Sequence, residues 1–297
     1  EFFKQHQDWF VKREGTLLPP VQERVTLDFT NPEATRWIES ELERIVRDYQ
    51  VDILRIDGAP MSHYIGERIA DGHIESVIWR HYEFLYGLME RLREKFPNLL
   101  IENCCGGGGR LDLGILSRSH RTQITDELDL PRAVQILNGI TLMLPPEICM
   151  VFPSLHGLFS ASDLAGLDFV FRLSLFGGLY TYGSTKRMAD QHPDYLETAK
   201  RYVALYKTFV APLLPGCRVF HHTPVVRVEG PDQTPYCVLE YAAADAGSGL
   251  IGIFKLTDAS VPCRVYPKGV DLQRDCRVTF DNNGSTAVVD PFRLRQD

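Results

Sequence analysis

The sequence predicts an α/β fold: a parallel α/β-barrel portion over residues 1–215, followed by a small antiparallel β-sandwich over residues 216–297. Three observations predict it. Short apolar runs alternate with segments of helical period as far as Leu214, which is the rhythm of consecutive βα units. Beyond Pro215 the texture changes to short alternating runs divided by turn residues, the pattern of antiparallel strands. Between two strands that end in aspartate, VDILRID (Val51–Asp57) and RTQITDELD (Arg121–Asp129), lies the run IENCCGGGGRLD (Ile101–Asp112). Its four consecutive glycines cost backbone entropy that a plain turn would not need, so they point to a close approach of main chain to something small.

The elements follow in order. Val25–Phe29 reads as a short strand, and Asn31-Pro32 opens a helix over Glu33–Asp48 with Trp37, Ile38, Leu42 and Ile45 at helical spacing. Val51–Ile56 is apolar apart from Asp52 and Arg55, as expected of a parallel strand buried on both faces. A helix over Glu75–Lys95 carries Ile78, Trp79, Tyr82, Leu85, Leu88 and Leu92. The strand Leu99–Asn103, the glycine loop, the strand Gln123–Thr125 and a helix with Pro131 in its first turn come next. Ile140–Leu144 and Cys149–Phe152 are short apolar runs, Leu167–Leu175 is helical, Leu179–Tyr182 is a strand, and Glu197–Leu214 is a long amphipathic helix. In the second part, Val225–Val228, Tyr236–Tyr241, Leu250–Leu256, Arg264–Tyr266 and Cys276–Phe280 read as strands, with a hairpin signal at Asp281-Asn282-Asn283-Gly284.

Composition narrows the function classes. With 297 residues the chain can bury a large core, and 44% hydrophobic with 24% charged residues is ordinary for a water-soluble globular chain. A net charge of −7 with dispersed Lys and Arg argues against nucleic acid as a partner. No apolar run reaches membrane-spanning length and no leader peptide is visible. Seven cysteines, an odd number without CxxC or Cys/His ligand spacing, suggest reduced thiols rather than a disulfide framework or a zinc site. That favours a cytoplasmic location, with periplasm or secretion as the alternative.

Chemistry collects at the C-terminal ends of barrel strands. Ile53, Arg55 and Asp57 share one face of their strand, and a cation two residues before a carboxylate helps keep it ionised, as a nucleophile requires. Asp57-Gly58 also reads as an ordinary turn after a strand. Asp126 and Asp129 both read as N-caps of the helix near Pro131, Asp129 being the better placed. The glycine loop lacks GK[ST] and the G-x-G-x-x-G pattern, so it is no phosphate cradle; a sugar-approach loop fits better. Of Cys104 and Cys105, one is expected to line the pocket and the other to pack in the core. The nine histidines are scattered, with His63 and His156 the two to watch.

Two carboxylates on different strands with a glycine loop between them form the constellation of a retaining glycosidase. The order RID, ENCCGGGGRLD, TDELDLPRAVQI resembles glycoside hydrolase family 36, whose motifs run Lys-Trp-Asp-Met-Asn, then Glu-x-Cys-Ser-Gly-Gly-Gly-Gly-Arg-Phe-Asp, then Ser-Asp-Asn-Thr-Asp. The opening FFKQHQDWF with VTLDFTNPEA resembles the family's segment after its third barrel strand, and VYPKGVDLQRDCRVTFDNNG its C-terminal β domain. The resemblance implies a TIM (β/α)8-type barrel of which this chain carries about strands 4–8.

It also implies roles. The nucleophile falls on Asp57 and the acid/base on Asp126; Arg55 stands for a sugar-holding lysine, Cys104 lines the substrate, and the main chain of Gly107 approaches the ring. An Arg of the family meets Gln22 here, leaving Arg24 as the candidate contact. Departures lie around these positions: Ile56 replaces a Trp, Ala59 an Asn, and Glu127-Leu128 an Asn-Thr. The expected function is a retaining, α-galactosidase-like α-glycosidase acting on an oligosaccharide or glycoside, with no metal or organic cofactor. The alternatives are an α-glycosidase or transglycosylase for another sugar, or a non-catalytic carbohydrate-binding remnant. The resemblance further implies that the N-terminal half of the barrel comes from another segment or chain, and a homo-oligomer is a separate partner to consider.

Overall fold

The computed structural model describes residues 1–13, 16–17, 26–58, 67–127, 129–151, 164–178, 189–190, 193–224, 235–257, 261–271 and 274–290. The expected strands Leu179–Tyr182 and Val225–Val228, and the positions Gln22, Arg24, Ala59, His63, Leu128 and His156, lie outside them. The chain is an α/β fold that divides into two compact units, Glu1–Thr122 and Gln123–Asp297.

In the first unit, helix α1 (Pro32–Asp48) is started by Asn31, whose side chain accepts from the N–H groups of Glu33 at 2.8 Å and Ala34 at 3.3 Å. Beneath its first turns Trp9, Phe10 and Ala34 form a buried cluster with Phe2, Leu27 and Trp37 packed against it. Leu27 makes a single antiparallel bridge with Phe10 instead of an extended strand. The reason is local: Asp28 turns back to accept from the N–H of Thr30 at 2.8 Å and its hydroxyl at 2.6 Å, which ends the extended run.

Strand β1 (Ile53–Ile56) is followed by an antiparallel hairpin, β2 (Glu67–Ala70) and β3 (His73–Ser76), and then by helix α2 (Val77–Lys95). Strands β4 (Leu100–Asn103) and β5 (Arg121–Thr125) complete a parallel arrangement in which β4 lies between β1 and β5. One face of these strands is covered by helices. Leu54, Ile56 and Ile101 pack with Leu85, Leu88, Met89 and Leu92 of α2 and Val46 of α1. Each leucine so buried contributes roughly 1.5–3 kcal/mol. The other face of β1 departs from the expectation of burial on both sides, because Ile53 is 42% exposed and its register partner Leu100 41%.

In the second unit, the end of β5 (Gln123–Thr125) lies beside β6 (Cys149–Val151). Helix α3 (Leu130–Ile140) starts at Asp129, and helices α4 (Leu164–Phe176) and α5 (Tyr195–Leu205) follow. The expected continuous helix to Leu214 is interrupted by a π-turn at Tyr206–Val210. Pro212 explains it: its ring crowds the Thr208 carbonyl and it has no N–H to offer, so the preceding turn widens.

Strands β7 (Arg218–His221), β8 (Tyr236–Ala242) and β9 (Gly249–Lys255) form an antiparallel sheet with β8 central. Arg264–Tyr266 is irregular rather than a strand. It is bracketed by Pro262 and Pro267, and the N–H groups that follow go to the buried Glu240, from Lys268 at 2.9 Å and Gly269 at 2.6 Å. The expected hairpin is present as β10 (Cys276–Thr279) and β11 (Thr286–Val289), with Gly284 at φ +68°. Its turn residue Asp281 accepts from Arg172 of α4 at 3.0 Å, and from Arg201 at 2.8 Å and the Tyr202 hydroxyl at 3.0 Å, both of α5. Among the described residues no helix is long and apolar enough to cross a membrane.

Candidate active site

The first unit carries Asp57 just past the end of β1. The pleat puts Ile53, Arg55 and Asp57 on one face, and the parallel register sets Arg55 opposite Glu102 and Glu102 opposite Arg121. Asp57 Oδ2 accepts from Arg55 Nη2 at 3.1 Å and more weakly from Nε at 3.4 Å, and Oδ1 accepts from the Gly58 N–H at 2.7 Å. Partial burial opposes ionisation of Asp57, but the Cys104 thiol, the Gly58 N–H and Arg55 together outweigh it and hold the carboxyl below its ordinary range. The Cys104 thiol is driven the other way, up to about 11, by its own burial and by its hydrogen bond to Asp57, against a hydrogen bond from Gly107. Cys104 is therefore a thiol donor beside the carboxylate.

The glycine loop is built around a residue that sequence reasoning passed over. Arg110 is buried and donates to the main-chain oxygens of Cys104 (2.7 Å), Ile56 (3.0 Å) and Gly58 (3.2 Å), and to the Asn103 side chain (2.8 Å). It thereby ties the loop to the chain on both sides of Asp57. Asn103 in turn donates to the Arg110 carbonyl at 2.7 Å and to Thr122 Oγ1 at 2.8 Å. Gly106 and Gly107 have φ of +52° and +73°, a region that disfavours any side chain. At Gly109 an added Cβ would lie 2.6 Å from the Cys105 carbonyl oxygen. Cys104 and Cys105 are both buried, and Gly107 is buried with its carbonyl accepting from the Cys105 N–H at 3.4 Å. All seven cysteines are thiols.

Glu102 is the second group that the sequence reading missed. It is 2% exposed, and it accepts from Arg55 Nη1 on Oε1 at 2.5 Å and from Arg121 on Oε2 at 2.7 and 2.9 Å. The signal was present in the sequence as an acid directly after an apolar run, yet the partner on the neighbouring strand could be found only with the register.

In the second unit, Asp126 is exposed just past the end of β5, and its Oδ1 accepts a hydrogen bond from the carboxamide of the buried Gln123. The capping question is answered: Asp129 is the N-cap of α3, accepting from the Arg132 N–H at 3.3 Å. Glu127 pairs with Arg132 at 3.0 Å, and its own N–H goes to Thr125 Oγ1 at 3.0 Å. Among the described residues no three His, Cys, Asp or Glu side chains converge as metal ligands would.

A family model for melibiase matches residues 1–211, the span that carries both aspartates and the glycine loop. The chain belongs to the melibiase family. Relatives of this chain include an α-galactosidase of Escherichia coli, 28% identical over 50% of the chain and 20% of its own length. Another is α-galactosidase 2 of Pediococcus pentosaceus, 24% identical over 71% of the chain and 30% of its own length. The fold is similar to that of the α-galactosidase from Lactobacillus brevis, with a TM-score of 0.79 at 20% identity, covering 100% of this chain and 39% of that one. The chain thus spans less than a third of these two curated relatives.

Proposed function

We propose that this chain carries the two catalytic carboxyl groups of a retaining α-glycosidase of the α-galactosidase type. The observation that carries the reading is Asp57: a carboxylate at the C-terminal end of a parallel strand, held ionised by a guanidinium, a thiol and a backbone N–H beside a glycine loop. In the first step an Asp57 oxygen bonds to the anomeric carbon as the glycosidic C–O bond breaks, and Asp126 gives its proton to the departing oxygen. In the second, water bonds to that carbon and loses a proton to Asp126, while the ester electron pair returns to Asp57.

Family membership supports an α-linked sugar as substrate. Variants of the α-galactosidase AgaA from Geobacillus stearothermophilus have been solved with stachyose and with raffinose, which favours galactosides for this chain as well. A second reading, another sugar, is favoured by Arg55: where the family motif has a lysine, this side chain is a fork shared between two carboxylates, so hydroxyl contacts there differ.

The finer architecture belongs to the same proposal. The parallel strands form about strands 4–8 of a (β/α)8 barrel ending near residue 215, and residues 216–297 form a β-sandwich. The exposed apolar pair Ile53 and Leu100 fits a covering by further barrel strands from another segment or chain. Arg24 and Gly107 are proposed as substrate contacts, and a reducing compartment suits the thiols.

The test is to treat the protein with a 2-deoxy-2-fluoro-α-galactosyl fluoride and map the label by mass spectrometry. A glycosyl ester on the Asp57 peptide is expected. An unlabelled protein that still turns over aryl α-galactosides, or label on another carboxylate, would refute the assignment.

A further inference from the structure

We propose that Glu102 is a positioning residue for the nucleophile: it fixes Arg55 as a bridge, with one edge on Glu102 and the other on Asp57. The inference rests on the reading of Asp57 as nucleophile.

The register brings three charged side chains into one layer across three strands, Arg55 on β1, Glu102 on β4 and Arg121 on β5. Glu102 is almost wholly removed from water, so its charge is tolerable only while paired and hydrogen-bonded. It divides its two oxygens, Oε1 for Arg55 and Oε2 for Arg121. That division matters. With Oε2 occupied by Arg121, Arg55 cannot close a two-pronged pair on Glu102, and its Nε and Nη2 edge is left facing Asp57. The result is a guanidinium that Asp57 engages by one oxygen at 3.1 Å, while the shorter contact, 2.5 Å, goes to Glu102. Such a contact keeps the carboxylate oriented without burying its charge in a tight pair, which would blunt it as a nucleophile.

The arrangement also serves the second step. Once Asp57 is an ester it carries no charge, and an Arg55 held only by Asp57 would swing away. Glu102 keeps the guanidinium in place to receive the carboxylate that reforms.

The experiment uses Glu102→Gln, which keeps shape and removes charge. Read-outs are the rate of fluoroglycoside labelling per active site, kcat and KM on an aryl α-galactoside, and the double-mutant cycle with Arg55→Lys. Labelling and kcat should fall about 10- to 100-fold with KM within about twofold, the size of a lost charge-assisted hydrogen bond. The double variant should be no worse than the poorer single one. If Glu102 only holds the sheet together, the melting temperature falls, the labelling rate per active site stays at the wild-type value, and the factors multiply; that outcome overturns the proposal. Should Glu102→Gln not fold, Arg121→Met tests the same division of oxygens. Arg55 should then turn fully onto Glu102 and labelling should slow about tenfold, and a wild-type rate overturns the proposal. Absence of label on Asp57 in the unaltered protein would instead overturn the nucleophile reading, and the role of Glu102 with it.

Discussion

The two aspartates that follow β1 and β5 are the same residue at equivalent places in the parallel strand pattern, yet their neighbours differ in kind. Asp57 meets a guanidinium, a thiol and a backbone N–H, all of them donors. Asp126 meets the carboxamide of Gln123, which holds a donor and an acceptor side by side. A guanidinium favours the ionised form of a carboxyl group through its charge, whereas a carboxamide carries no charge and offers both a donor and an acceptor. The surroundings thus favour the ionised form of Asp57, while the Gln123 carboxamide brings no charge to Asp126. Under the proposed mechanism an ionised Asp57 is what the attacking group requires, and Arg55, two residues before it, contributes to that state.

The comparison is broken most directly at Asp57. Asp57→Ala should lower kcat on aryl α-galactosides by roughly 10⁴-fold or more whatever the leaving group, because no covalent step remains. Steady-state assays with a series of phenols check this, and retained activity would end the assignment. Asp126→Ala should be milder and uneven. In kcat/KM, which reports only the first step, the loss with a poorly acidic leaving group is about 10²- to 10⁴-fold, while a dinitrophenolate, which needs no proton, should leave nearly unhindered. Equal losses of kcat/KM across the series would show that Asp126 does not deliver the proton.

How far the sequence led differs between the two sites in the same way. Alternation along Val51–Asp57 was enough to pair Arg55 with Asp57, because both lie on one strand and period two is local information. Asp129 as the cap of α3 was legible from Pro131 alone. Glu102 and Arg121 were not legible as partners, since a charge pair across parallel strands depends on register, and the segments between them set that register only through tertiary packing. Arg110 was hidden for another reason: its partners are main-chain carbonyls, which leave no mark in the sequence. The hairpin β2–β3 had a signal, Asp71-Gly72 with φ of +51° and +80°, the left-handed pair that suits a two-residue turn. It went unread because the flanking residues Glu67–Ala70 and His73–Ser76 alternate weakly.

Arg55→Met sharpens the comparison by pH. Asp57 is held below its ordinary 3.8 in part by Arg55, so the carboxylate survives into more acid solution than a bare aspartate would. In the proposed mechanism protonation of Asp57 removes the nucleophile, so activity should be lost as pH falls through its folded-state pKa. Taking away the guanidinium removes one of the influences that depress that value, so the acidic limb of kcat/KM should move to higher pH. Asp126 has a neutral partner in Gln123, and Gln123→Met should leave that acidic limb where it was. A limb that moves in both variants, or in neither, would dissolve the distinction between the two sites.

The smallest expected effect is on the loop that Arg110 ties to the nucleophile strand. Gly109→Ala places a methyl 2.6 Å from the Cys105 carbonyl oxygen, main chain against main chain, with no flexible side chain to yield. The loop must shift, at a cost of about 1–3 kcal/mol, which for a chain of this size lowers the melting temperature by a few degrees. The shift is transmitted through Cys105 to its neighbour Cys104, whose thiol faces Asp57. Gly109→Ala should therefore slow fluoroglycoside labelling of Asp57 modestly as well as lower stability. Gly284→Ala, in the β10–β11 turn with open space around its Cβ and φ of +68°, should lower stability by a comparable amount through backbone strain alone. Its labelling rate should match the unaltered protein. Thermal melts run beside labelling kinetics on the two variants separate a loop that supports the nucleophile from a turn that only folds.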